Sequence, residues 1–109
     1  MSIDPRTDLI RRLTAVTTDQ VLAARKMDTV ELDRLGAIHA DLLFRLEVAF
    51  QDPVPEDARV RSELKAEAEL LVQARERLRL VTSTVVQVLD RVLPSRPPAV
   101  YGRRGRLSS

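Results

Sequence analysis

The placement of proline and glycine constrains this chain more than any other feature. Between Pro5 and Pro53 stands a single glycine, Gly36, and between Pro55 and Pro94 there is neither residue. Two long stretches are therefore free of any strong helix stop. Asp4 before Pro5 supplies an N-cap acceptor followed by a proline at the first helical position, where a missing N–H costs nothing. Asp52 before Pro53 repeats the device. Pro53 and Pro55 end the first helical region and also suit the first turn of a second one.

Apolar spacing supports this division. In the first stretch Ile10, Leu13, Thr17, Val21, Ala24, Asp28, Leu32, Leu35, His39, Leu42, Leu46 and Phe50 advance by threes and fours, the period of an α-helix. The stripe weakens at Thr17 and Asp28, and Asp28 or Thr29 could cap a new helix. A break around Met27-Asp28-Thr29 is thus the alternative to the continuous first helix that the stripe favours. In the second stretch Leu64, Leu71, Leu78, Val85 and Val92 recur at every seventh residue, with Val60, Glu67, Ala74, Val81 and Val88 between them, a nearly complete coiled-coil pattern. The expected fold is all-α. It is a long, antiparallel, coiled-coil-like helical hairpin in one domain, 1–93, with arms at about 5–51 and 54–93. A three-helix bundle replaces it if the first arm breaks near Asp28. Residues 94–109, rich in proline and arginine, are expected to form a flexible, disordered tail.

Composition narrows the chemistry. The aromatics are Phe44, Phe50 and Tyr101, and the absence of cysteine removes disulfides, thiol catalysis and thiolate metal sites. No apolar run approaches the roughly 18 residues that would cross a bilayer, and Met1-Ser2-Ile3-Asp4-Pro5 does not resemble a signal peptide, so a soluble cytoplasmic protein without membrane insertion is expected. Residues 1–93 carry 14 basic and 16 acidic side chains, and the tail adds Arg96, Arg103, Arg104 and Arg106 with no acid, which turns a balance of −2 into the total of +2. His39, the single histidine, sits on the apolar stripe as a seam residue and has no companion ligands. Glu63, Lys65, Glu67 and Glu69 read as a solvated helix face, and Gly102 with Gly105 lack the framework of a phosphate loop. Neither catalytic nor metal nor cofactor-binding residues are expected.

Two apolar surfaces exceed what a two-helix hairpin can bury. Leu9, Val16, Ala23, Val30, Ala37 and Phe44 form a second seven-residue stripe, which Val48 extends by one turn. The end of the second arm is also broadly apolar, through Val81, Val85, Val86, Val88, Leu89, Val92 and Leu93, which occupy close to half the helix circumference. A third helix or a homodimer would cover such surfaces, and so would an amphipathic helix of another protein.

Beyond the prolines, Tyr101-Gly102-Arg103-Arg104-Gly105-Arg106 joins an aromatic anchor to cations and glycines. That ending, after the leucine pattern of Leu13 to Leu46 and a second long heptad helix, resembles the FlgN-type flagellar type III export chaperones. The resemblance covers most of the chain. It implies a cytosolic, non-enzymatic chaperone that binds the C-terminal helical segments of hook-filament junction proteins and delivers them to the export gate and ATPase complex. It further implies partner binding by Val81, Val85, Val88, Leu89 and Val92, and export-gate docking by Tyr101 with Gly102 and Gly105. Val30, Ala37, Phe44 and Val48 offer a second interface. The alternative is a self-associating coiled-coil adaptor whose basic tail contacts nucleic acid or an anionic membrane, whereas the chaperone reading expects no nucleic-acid partner.

Overall fold

A computed structural model describes residues 4–93, and these form three helices and no strand: α1 over Pro5–Arg25, α2 over Thr29–Ala49 and α3 over Ala58–Val92. The expectations for 94–109, including those for Tyr101, Gly102 and Gly105, lie outside the described residues. Each helix begins on an aspartate. Asp4 accepts from the Arg6 N–H, Asp28 from that of Glu31, and Asp57 from that of Arg59. Each cap satisfies one of the donors that a helix start leaves without a partner.

The continuous first arm expected over 5–51 is corrected: the chain turns at Lys26-Met27-Asp28. The Met27 N–H donates to the Ala24 carbonyl at 3.0 Å and the Asp28 N–H to the Ala23 carbonyl at 2.9 Å, the paired closure of a Schellman end. Asp28 then caps α2 while Glu31 stands at the third helical position, so one tripeptide stops a helix and starts the next. Met27 adopts φ 55°, the left-handed conformation that this closure requires and that side chains resist. Met27→Gly is expected to raise the unfolding free energy by about 0.5–1 kcal/mol in urea titrations followed by circular dichroism, and Met27→Val to lower it.

Helix α1 is the shared wall of the fold: it packs against both α2 and α3, which do not approach each other closely. Its start is tied to the end of α2. The Arg6 side chain, 6% exposed, donates through Nη2 to the Pro53 carbonyl at 3.0 Å, lies 5.1 Å from the centre of the Phe50 ring and faces Asp4 at 3.6 Å. Arg11 donates to Glu67 at 2.9 Å, and Arg25 lies beside Val81 and Val85, so α3 runs in the same direction as α1.

Standing between two neighbours explains the residues that α1 buries. Ile10, Leu13, Val21 and Ala24 are buried, and so is Ala23, on the other flank of the helix. Leu9 and Val16 of the second stripe are half-buried there too. Thr17, the weak point of the first stripe, is fully buried, and its hydroxyl donates to the Leu13 carbonyl at 2.7 Å, so it enters the core with its hydrogen bond made. Helix α2 buries only Leu35 and Leu42, and α3 only Leu64 and Ala74, since each has a single helical neighbour.

Candidate partner-binding surface

Helix α3 has 35 residues and α1 has 21, which correspond to about 52 and 31 Å of axis. The Arg11–Glu67 pair sets their register and places Arg25 about level with Val81. Past Val81, α3 has no α1 beside it, and this overhang to Val92 is roughly 16 Å long. The face that buries Leu64 and Ala74 continues along the overhang as Val81, Val85, Val88, Leu89 and Val92. Val81 and Val85 are half-buried against the α1–α2 corner, whereas Val88, Leu89 and Val92 are exposed, Val92 at 65%. The strip is therefore core-like in sequence, and among the described residues nothing covers its end, because α1 stops three turns too soon.

An open groove of about 380 Å³ lies where the corner meets α3. It brings Val81, Val85 and Val88 together, as their spacing predicts, while Leu89 and Val92 fall outside its lining. Arg25 and Met27 close it from the corner, and Leu80 and Thr84 complete the α3 side. Sequence reasoning missed these four. Arg25 and Met27 join the groove only because the chain turns there. A signal for Leu80 and Thr84 was present, since Leu80 to Leu89 contains no ionisable residue in an otherwise heavily charged helix.

The second candidate interface lies apart from the first. Val30, Phe44 and Val48 are 79%, 64% and 47% exposed, and with exposed Ala37 they run along the side of α2 opposite Leu35 and Leu42, which face α1.

His39 is half-buried, as a seam position suggests, and lines a wider groove with Thr17, Gln20, Arg75 and Glu76. Gln20 Oε1 is buried there without a hydrogen-bond partner. The hydrogen bond from Arg79 holds the Glu76 carboxyl below its ordinary range, so this rim carries a closed ion pair. Among the described residues no three His, Cys, Asp or Glu side chains gather into a metal-binding group. Glu67, read as part of a solvated face, instead bridges α3 to α1 and raises the pKa of Arg11 through its hydrogen bond. No described helix is long and apolar enough to cross a membrane. Comparison with known protein families, curated proteins and solved structures gave no match.

Proposed function

We propose that this chain is a non-enzymatic chaperone, an open three-helix bundle that offers the end of α3 to an amphipathic helix of a partner protein. The observation that carries this reading is the uncovered continuation of the α3 core face past the end of α1, at Val85, Val88, Leu89 and Val92. Such a face does not lower its free energy until something apolar covers it, and a helix is the element whose ridges fit it. Burial of about 600 Å² on each side would support binding in the micromolar range. In keeping with the resemblance to FlgN-type chaperones, the partners are the C-terminal helical segments of hook-filament junction proteins, held in the cytoplasm, and Tyr101 with Gly102 and Gly105 docks the complex on the export gate and ATPase complex.

Co-expression with hook-filament junction proteins tests the reading, with the full chain compared against one ending at Thr82. That truncation keeps the part of α3 that lies along α1 and removes the overhang. The full chain is expected to carry a stoichiometric partner through purification and the truncated one to lose it while remaining helical by circular dichroism. Equal recovery by both chains would move the site elsewhere, and no recovery by the full chain would remove the proposed cargo.

A further inference from the structure

The outer face of α2 points away from α1 and is exposed along its length. Val30, Ala37 and Phe44 stand at seven-residue intervals on it, with Val48 one turn beyond, and the small Ala37 occupies the middle of the row. Along one flank of this row the charges read Glu31, Arg34, Asp41, Arg45, alternating in sign, with Glu31 bonded to Arg34 and Asp41 to Arg45 in exposed local pairs. This order of signs is inverted when the helix is reversed. An antiparallel copy of α2 crossing at Ala37 therefore meets it with the charges nearest the row opposed: Arg34 falls beside Asp41 of the second copy, and Asp41 beside its Arg34. Val30 faces Phe44 of the second copy across the same crossing, large against small, and Ala37 meets Ala37.

The remaining surroundings permit this arrangement. On the other flank Asp33 falls beside Ala40 of the second copy, so no acids are forced together, and Glu47 falls opposite Met27, ahead of the second copy's α2. His39, which shares the wider groove with α3, lies on the far flank from Arg34 and Asp41. Helix α3 therefore does not obstruct the contact. We infer that two copies of this chain associate through α2, antiparallel about Ala37, with Val30, Phe44 and Val48 as the apolar layer and Arg34–Asp41 contacts across the two-fold axis fixing direction and register. This surface is separate from the end of α3, so a dimer keeps both partner-binding strips free.

Sedimentation velocity on the full chain, across micromolar concentrations at low salt, tests this. The unaltered chain is expected to dimerise, and Phe44→Glu to be monomeric with unchanged helicity. Arg34→Asp and Asp41→Arg should each shift the chain toward monomer by at least tenfold in dissociation constant. An equimolar mixture of those two variants should then form a heterodimer, because the introduced charges at 34 and 41 meet as opposites on one side of the axis and the native Arg34 and Asp41 meet on the other. A chain that stays monomeric throughout overturns the inference, as does a dimer that the two charge reversals leave unweakened or a mixture that does not recover association. A dimer dissolved by Leu89→Asp but not by Phe44→Glu would place self-association on α3 and overturn it equally.

Discussion

Leu89→Asp should weaken binding of a partner helix by more than a hundredfold while leaving the helical content of the free chain as it was. Leu89 is 36% exposed and projects from the part of α3 that has no α1 beside it, so the folded monomer can keep a carboxylate there in water. Once a partner covers the strip, the same carboxylate is buried without a cation. That costs several kcal/mol, and about 2.7 kcal/mol already accounts for a hundredfold change in affinity. Val85→Asp should act in the same direction, with some loss of stability added, because Val85 is half-buried against the α1–α2 corner. Calorimetric titration with the partner segment reads the difference. Undiminished affinity in the Leu89 variant would exclude this strip as the binding surface.

The largest loss of stability is expected from Leu35→Ala, about 3 kcal/mol by urea denaturation. Leu35 is 2% exposed, and only Leu42 accompanies it among the buried residues of α2. Truncating a buried leucine removes its transfer free energy and leaves a cavity, a combination that costs about 2–5 kcal/mol. Because α2 rests on α1 alone, no third helix is placed to close the gap. Val30→Ala, three-quarters exposed on the opposite side of the same helix, provides the internal contrast and should change stability by less than about 0.5 kcal/mol. Equal losses from the two substitutions would mean that α2 presents a different face to α1.

Much of the secondary structure was legible because it is written in local chemistry. Asp4-Pro5 announces the first helix and the Pro53–Pro55 pair ends the second, since proline acts on its own backbone whatever surrounds it. The all-helical class and the course of α3 were readable from periodicity, but its start was not: the expected Asp52-Pro53 start near 54 is corrected to Ala58, capped by Asp57. The corner at Met27 was not, for two reasons. The closing residue there is not glycine, the usual sign of a helix end, and methionine gives no warning that it will take a left-handed conformation. The apolar stripe also continues in phase across the break, because α1 and α2 bury faces that a straight helix would have shared. Asp28 with Glu31 was the available sign, and the stripe outweighed it.

Which apolar residues are covered was less accessible. Leu9, Val16 and Ala23 belong to the same seven-residue series as Val30, Ala37 and Phe44, yet the first three are sheltered by the helices around α1 and the last three face solvent. Sequence spacing shows that a face is apolar and is silent on how many neighbours it receives. Likewise Arg6 joins Phe50 and Pro53 across more than forty residues, a contact that exists only after the first arm has doubled back.

The corner at Lys26-Met27-Asp28 also limits what the strip can accept. A helix laid along the overhang of α3, in line with α1, runs up against Arg25 and Met27 at one end and has about three turns of α3 before Val92 at the other. On the function proposed above, the turn would work as an end-stop. It would set the starting point of a bound segment and make recognition a measure of length as well as of apolar pattern, so a partner whose apolar face is right but whose helix continues unbroken past the stop would have to bend away or bind out of step.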